Sequence, residues 1–209
     1  LSEQGKLSVN DKLTDYIPEY LGDPRTSIAD LLSHKSGYCG LGSPQDYKDI
    51  GSWVRYLATL TPTEEYGTYH YADFNFAALG YIVELVSQMN IEEYLQNNIL
   101  KPMQLNESFT NFSPDSTWAS NVNSRYRISG NRFEKYWANT NSQGWNFYPA
   151  AWGIWGTAMD YSKFLTMILN QGSFNDNKFL SEHTVHEMIS QHSSVGSTFD
   201  YGYGFYVKA

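Results

Sequence analysis

The sequence predicts a single α/β (α+β) domain that is mostly helical and has few strands. Apolar residues recur at helical spacing in several segments, one short stretch alternates like a β-hairpin, and no strand–helix–strand alternation occurs. The chain has 209 residues, of which 41% are hydrophobic. This is enough material for one core, so we expect one domain over residues 1–209, large enough to include a sub-domain.

The N-terminal part is predicted to contain short helices joined by loops. Residues 1–13 resemble the end of a helix followed by a turn. Thr26 or Ser27 is expected to cap a brief helix that ends at Gly37. Residues 46–60 place apolar side chains on one side of a further helix.

Residues 69–86, YHYADFNFAALGYIVELV, form the most informative segment. From Phe74 the apolar residues follow the spacing of one buried helical face, which predicts a helix from about Asp73 to Met89. Asp73 is expected to accept hydrogen bonds from the first-turn amides. Tyr71 would then stand beside a rigid helix start, which suits a proton-transfer group, although a packing tyrosine beside a capped helix is the alternative.

The C-terminal part is predicted to alternate helices with hairpins and loops. Pro102 ends a helix that begins near Ile91, and Ser181 caps the last helix. The remaining predicted elements are a hairpin over 122–137, an aromatic loop over 138–152, helices over 158–170 and 182–191, and a terminal strand.

Composition excludes several classes of function. The net charge of −8 argues against nucleic acid and against anionic membrane surfaces as partners. The single cysteine, Cys39, excludes an intrachain disulfide and is expected to be a small buried thiol. His183 and His186 are spaced for a metal pair on a helix, but a solvated helix face is the better interpretation.

Five segments in order resemble the serine β-lactamase and penicillin-binding-protein superfamily, in its class C, D-Ala-D-Ala carboxypeptidase and esterase branch. They are LSEQGKLSVNDKLTDYIPEY, TSIADLLSHKSGY, YHYADFNFAALGYIVE, PAAWGIWGTAMDYSKFL and DYGYGFYV. The resemblance covers nearly all of the chain and implies an antiparallel sheet flanked by helices, with a helical sub-domain over about 26–170. We expect this chain to be the central, helix-rich portion of that fold, truncated at both ends, with most flanking strands missing.

The family's chemistry uses a Ser-x-x-Lys, a Tyr-x-Asn and a Lys/His-Thr/Ser-Gly motif. Only the middle motif is visible here, because no lysine of the chain has a serine three residues before it. We expect the first motif upstream of Leu1 and the third downstream of Ala209. Residues 35–37, Lys-Ser-Gly, spell the third motif, but they follow a helix and are better explained as its C-terminal turn.

By this resemblance, Tyr71 is the expected general acid/base, and it would need a neighbouring lysine charge to act at neutral pH. Asp73 stands where the family usually has Asn. A carboxylate only accepts hydrogen bonds, so this change argues against penicillin-like amide recognition. His34 and Asn75 are expected to be structural.

The aromatic loop supplies the predicted substrate-binding residues, Tyr148 and Trp152, with a packed loop as the alternative. The resemblance implies a serine hydrolase acting through an acyl-serine on a D-alanyl amide or ester, or another small ester, with no metal or organic cofactor. A catalytically inactive member that binds cell-wall polymer is the alternative. The expected partners are cell-wall peptide, D-alanylated polymer or a small ester, and the expected location is extracytoplasmic.

Overall fold

The computed structural model describes residues 1–38, 43–110, 119–138 and 146–208. Cys39 and Trp145 lie outside the described residues, so their predicted roles stay predictions. A π-helical turn, Gln96–Leu100, extends the fifth helix. The helices are α1 (Leu13–Tyr16), α2 (Ile28–Leu32), α3 (Ile50–Ala58), α4 (Asp73–Ser87), α5 (Ile91–Leu95), α6 (Ala158–Leu169) and α7 (Glu182–Ile189).

The main core lies where α2 and α3 pack against α4. Trp53 of α3 and Phe74 of α4 are among the largest fully buried side chains. Burial of these apolar faces is the principal driving force that holds the three helices together. Their contact fixes α4, and with it the segment that leads into its first turn.

The helix starts follow the predicted capping chemistry at two positions. Ser27 accepts a hydrogen bond from the Asp30 amide and forms a capping box with it, which confirms Ser27 rather than Thr26 as the cap of α2. Ser181 caps α7 in the same way through the Thr184 amide. The helix predicted over 46–60 is shorter than expected, because Asp49 caps α3 through the Ser52 amide.

The strands are short and form three separate antiparallel sheets, of which the predicted hairpin is the longest. The two-residue strands have too few residues for a period-2 pattern, so the sequence did not predict them. The strands are β1 (Arg125–Ser129), β2 (Arg132–Trp137), β3 (Ser173–Phe174), β4 (Asn177–Lys178), β5 (Ser193–Ser194), β6 (Phe199–Tyr201) and β7 (Tyr206–Lys208).

The three-stranded sheet β5–β6–β7 lies against the end of α2. The Ser193 hydroxyl donates to the Ser33 carbonyl at 2.7 Å, and the Gly204 amide donates to the Leu32 carbonyl at 3.2 Å. These bonds join segments about 160–170 residues apart in the chain. They bring the C-terminal aromatic residues next to the segment that precedes α4.

A second apolar cluster forms between the α5 region and α6, centred on Leu100, Met103, Leu105 and Met167. No helix within the described residues is long and apolar enough to cross a bilayer. The predicted fold class, mixed helix with few strands, is confirmed by this architecture. The single-domain boundary and the helical sub-domain over about 26–170 stay predictions.

Candidate active site

The start of α4 presents Tyr71 and Asp73 on a rigid support. Residues 69–72 belong to no helix or strand, and Ala72 is the N-cap residue in an extended conformation with φ −141° and ψ 127°. Asp73 is the first helical residue, and the N-cap makes no side-chain hydrogen bond. The prediction that Asp73 caps the helix is therefore wrong. A side chain reaches back to the first-turn amides from the extended N-cap position, and Asp73 lies one residue beyond it.

Tyr71 is half-exposed, with 51% of its surface accessible. Its ring lies against the His34 ring, with centroids 4.4 Å apart and planes inclined by 36°. Burial, followed by the charges of Asp73 and Tyr206, raises the pKa of Tyr71. This placement suits a phenol that must be both accessible and held in a fixed position. The pKa shift is opposite to the one that a base working at neutral pH needs, so a nearby cation must offset it.

Asp73 is a half-buried carboxylate, and burial raises its pKa. Within the described residues, no hydrogen bond or cation opposes that shift. An ionised carboxylate without a partner favours a donor or a positive charge beside it. The start of α4 therefore favours a cationic or hydrogen-bond-donating group beside Asp73, and the described residues provide none.

His34 lies beneath Tyr71 and is fully buried with φ 56°. Its Nδ1 accepts a hydrogen bond from the Ala72 amide at 3.2 Å and lies 3.0 Å from the Asn75 side-chain nitrogen. An accepting Nδ1 assigns the ring proton to Nε2. Burial lowers the pKa of His34 to about 4, so the ring is neutral at pH 7.

Asn75 and Ser36 complete this buried network. The Ser36 hydroxyl donates to Asn75 Oδ1 at 2.5 Å, which orients the amide so that its nitrogen faces His34. The network joins the turn after α2 to the first turn of α4. The prediction that His34 and Asn75 are structural agrees with these bonds, although sequence alone gave no sign that they contact each other.

The Lys-Ser-Gly sequence at 35–37 lies in the turn that follows α2. Gly37 has φ 82°, and the Ser36 side chain is buried in the network just described. Lys35 Nζ is 3.8 Å from an Asp30 carboxylate oxygen. The helix ends at Leu32, earlier than the predicted Gly37, and the left-handed residue of its C-terminal turn is His34 with φ 56°. Residues 35–37 follow that turn directly, and Ser36 supports α4 from within the core.

Aromatic residues that the sequence analysis did not single out surround His34. The Tyr69, Phe76 and Tyr201 rings lie within 6 Å of the His34 ring, centroid to centroid. The Tyr69 and Tyr206 hydroxyls are 3.2 Å apart. The sequence feature that could have predicted these neighbours was the DYGYGFYV segment. Its strands β6 and β7 supply Tyr201 and Tyr206, which lie beside Tyr71. The His34 Nε2 atom has no hydrogen-bond partner among the described residues.

Tyr148 and Trp152 occupy a different part of the structure. Tyr148 is 4% exposed, and burial raises its pKa to about 12. Trp152 is partly buried and packs edge-on against Trp53 at 6.0 Å. Trp152 therefore packs against the main core, and Tyr148 is buried outside that cluster. Their assignment to substrate binding stays a prediction, and for Tyr148 it would require the loop to move.

Close packing explains the glycine at position 156. A β-carbon at this position would lie 2.7 Å from the Ser108 hydroxyl oxygen. Ser108 is held in turn by Asp160, a buried carboxylate that also accepts the Glu107 amide at 2.7 Å. The glycine lets the segment around Ser108 approach the start of α6 closely.

A metal centre finds little support in the part of the chain that is described. His183 and His186 lie on α7, and the described residues contain no group of three or more His, Cys, Asp or Glu side chains able to hold an ion. His186 Nδ1 instead lies 3.3 Å from the Ser190 hydroxyl.

The profile of the Beta-lactamase family matches residues 1–209, and the chain belongs to that family. A Staphylococcus aureus (strain MRSA252) teichoic acid D-alanine hydrolase is 26% identical over 221 residues, which cover 100% of this chain and 50% of the relative. A Salmonella enteritidis (strain P125109) protein, named provisionally as a D-alanyl-D-alanine carboxypeptidase, is 25% identical over 234 residues, which cover 96% of this chain and 53% of the relative. The chain thus spans about half the length of the curated relatives it matches.

The solved structure of a penicillin-binding protein from Bacillus halodurans has the same fold. It aligns with a TM-score of 0.77 at 21% identity, covering 100% of this chain and 63% of that one. This likeness confirms the serine β-lactamase and penicillin-binding-protein fold for the chain.

Proposed function

We propose that the protein containing this chain is a serine hydrolase that acts through an acyl-serine intermediate on a D-alanyl ester or amide of the bacterial cell wall. The observation that supports this most directly is the placement of Tyr71. It is half-exposed at the start of α4, and His34 accepts the His70 amide at its carbonyl and the Ala72 amide at Nδ1, which holds the backbone on either side of it. A positioned group of this kind is what proton transfer requires.

In this mechanism the serine oxygen attacks the carbonyl carbon of the D-alanyl group. The serine proton passes through Tyr71 to the leaving oxygen or nitrogen, and water then releases D-alanine from the serine. The 209 residues contain no Ser-x-x-Lys, so we propose that the serine and lysine come from outside them. That lysine would also provide the cation that Tyr71 needs.

Among D-alanyl substrates we favour the ester of a cationic D-alanyl group. Asp73 replaces the usual asparagine, and its carboxylate has no counterion among the described residues. The free ammonium of an O-linked D-alanine would supply that charge, and a carboxylate cannot donate to an amide carbonyl. The name of the Staphylococcus aureus relative, teichoic acid D-alanine hydrolase, agrees with this choice. Such a substrate implies an extracytoplasmic location.

The competing proposal is an inactive member that binds cell-wall polymer. The observation that favours it is the environment of Tyr71, because burial and the Asp73 charge raise its pKa and make the phenol a weaker acid than free tyrosine unless a cation lies nearby. The two proposals differ in whether a serine of the intact protein becomes acylated.

The test measures D-alanine release from D-alanylated teichoic acid by the intact protein, together with serine labelling by a fluorophosphonate. We expect both activities, and we expect Tyr71→Phe to lower turnover by roughly 10²–10⁴-fold. Tyr161→Phe is the matched control, because that tyrosine is exposed on α6. Release without Tyr71 dependence would make the tyrosine a packing residue, and no labelling with retained polymer binding would establish the inactive alternative.

A further inference from the structure

The β1–β2 hairpin is exposed on both faces. Residues 125–136 are all solvent-exposed, and the two strands make their principal element contacts with each other. A two-residue turn with Gly130 at φ 60° joins them. An isolated two-stranded hairpin is only marginally stable in water, so one that exposes apolar residues is expected to have a second surface to rest on.

The apolar residues of the hairpin share one face next to the turn. Ile128 and Phe133 are directly opposite each other across the strands and are 75% and 80% exposed. Tyr126 lies two residues from Ile128 and therefore on the same face, opposite Lys135. The turn end of the hairpin thus presents a contiguous apolar surface with a tyrosine behind it.

Positive charge lies on both faces of the hairpin, because Lys135 shares the apolar face and Arg127 and Arg132 lie on the opposite face. The hairpin contains Arg125, Arg127, Arg132 and Lys135 but only one acid, Glu134, whereas the whole chain has a net charge of −8. Arg127 pairs with Glu134 at 3.1 Å. Within the described residues, the other three cations have no carboxylate within 4 Å.

Two of those cations lie over aromatic rings near the base of the hairpin. The Lys135 ammonium lies 5.7 Å from the Tyr126 ring centre, and the Arg125 guanidinium lies 4.5 Å from that of Trp155. These contacts leave the charges at the surface while the stems cover aromatic carbon.

We propose that the β1–β2 hairpin is a docking surface for an anionic lipid bilayer. The Ile128 and Phe133 side chains enter the boundary between headgroups and acyl chains, and Tyr126 lies at the headgroup level. The turn end of the hairpin enters first, so that Lys135 on the apolar face and Arg132 on the opposite face both contact the lipid phosphates. Apolar residues flanked by cations and tyrosine are the composition that binds this region of a membrane.

A bilayer fits the hairpin better than a soluble anionic polymer does. A polymer of phosphate groups would satisfy the cations but would leave Ile128 and Phe133 in water. The bilayer satisfies both, because charged headgroups and hydrocarbon lie within one side-chain length of each other.

This proposal also revises the expectation that the net charge excludes anionic membranes. The Debye length is about 8 Å at physiological ionic strength, so a surface that touches the hairpin responds mainly to the hairpin's own charges. The acidic residues elsewhere on the chain are screened at larger distances.

The experiment is co-sedimentation of the intact protein with vesicles of phosphatidylcholine containing about 30% phosphatidylglycerol, compared with pure phosphatidylcholine vesicles. We expect binding to the anionic vesicles that falls by roughly tenfold or more in Arg132→Gln/Lys135→Gln, and likewise in Ile128→Ser/Phe133→Ser. High salt should weaken wild-type binding. Since the substituted side chains are exposed, these variants should fold normally, which circular dichroism checks.

Matched controls are Lys48→Gln/Lys178→Gln for charge and Leu21→Ser for apolar exposure, because these exposed residues lie outside the hairpin. They should bind as the wild type does. Binding that survives both hairpin variants, or that is equal on the two vesicle types, would overturn the proposal. So would retention on soluble polyphosphate without vesicle binding, or self-association that the Ile128→Ser/Phe133→Ser variant abolishes. None of these outcomes depends on hydrolase activity, so the proposed function is tested separately.

Discussion

Tyr71 and Asp73 influence each other at the start of α4. The Asp73 charge is one cause of the raised pKa of Tyr71, and burial raises the pKa of both groups. This arrangement opposes base catalysis unless a cation enters. We expect the lysine of a Ser-x-x-Lys motif, or a cationic substrate, to provide it.

Asp73→Asn tests this interaction directly. The amide removes a negative charge beside Tyr71 and adds a donor, so we predict faster reaction with penicillin-type amides and slower release of O-linked D-alanine. Both rates are measured on the intact protein. Unchanged rates on both substrates would place Asp73 outside the substrate-binding region.

The same substitution has a defined effect on stability. The folded-state pKa of Asp73 lies above its ordinary value, so ionisation destabilises the fold at neutral pH, and that penalty disappears as the pH falls below the ordinary value. Because Asp73 does not cap α4, Asn should match or exceed the stability of the wild type at pH 7, with a smaller difference at pH 3–4. A loss of several degrees in Tm at pH 7 would contradict this.

His34 is expected to make stability depend on pH in the acid range. Its folded-state pKa of about 4 lies below the ordinary value of 6.5, so the unfolded chain binds a proton that the folded chain excludes. Stability is therefore retained above pH 6.5 and lost as the pH falls to about 4, by on the order of 3 kcal/mol. Chemical unfolding at pH 7 and pH 4.5 measures the effect.

His34→Gln isolates that contribution. It removes the titrating ring and disrupts the acceptor for Ala72 and Asn75, so its stability at pH 7 should fall by about 1–3 kcal/mol. Its stability should then change less than the wild type's between pH 7 and pH 4.5. Parallel pH profiles for the two proteins would show that His34 does not titrate as described.

At the scale of elements, the approach of the aromatic loop to α4 depends on Gly80. A β-carbon at Gly80 would lie 2.3 Å from the Ala150 β-carbon and 3.1 Å from Ile50 Cδ1. The loop bends sharply there, because Ala150 has φ 62°. Helix propensity favours glycine less than alanine at this position, so close packing with the loop explains the glycine.

Gly80→Ala therefore sets helix propensity against packing. Alanine gains up to about 1 kcal/mol in propensity, but overpacking against a loop backbone costs about 1–3 kcal/mol, so we predict net destabilisation. Gly51→Ala in α3 is the matched control, because its β-carbon would meet the Tyr81 ring at 2.7 Å, and that partly exposed ring can shift. Thermal unfolding should rank Gly80→Ala below Gly51→Ala. The reverse order would mean that the loop yields more easily than the ring.

At the scale of the whole molecule, long-range hydrogen bonds join the N-terminal residues to the start of α7. A Glu3 carboxylate oxygen accepts the Ser181 amide at 2.7 Å and the Thr184 hydroxyl at 2.5 Å, both in the first turn of α7. The Thr184 bond is the main cause of the lowered pKa of Glu3, and the Ser181 amide adds to it. A carboxylate at a helix N-terminus also interacts favourably with the helix dipole.

Glu3→Ala should lower stability at neutral pH by about 1 kcal/mol, or about 2–4 °C in Tm. The contribution is small because the group is exposed to solvent. Since the folded-state pKa is lowered, the stabilisation is present above the ordinary carboxyl value of 4.5 and is lost as the pH falls further. The variant and the wild type should therefore converge as the pH falls below 4.5. A difference that persists there would assign the effect to packing instead of charge.

The sequence by itself determined the elements that depend on neighbouring residues. The periodicity from Phe74 predicted α4, serine caps predicted the starts of α2 and α7, and the turn at Gly130 predicted the hairpin. The ordered motifs also predicted the family. These signals are local, because helix periods, caps and tight turns are set by residues within a few positions of each other.

Only the tertiary structure decided which of these elements meet and which side chains become buried. The bonds of His34 to Ala72 and Asn75 span 38 and 41 residues, and Tyr148 became a buried side chain through packing. The N-cap of α4 is Ala72, whose amide donates to His34, and Asp73 is the first helical residue. The positive charge of the hairpin likewise acts on surfaces close to it, and the net charge of the whole chain does not reveal this. Burial and hydrogen-bond partners depend on distances in space, and separation along the chain does not specify them.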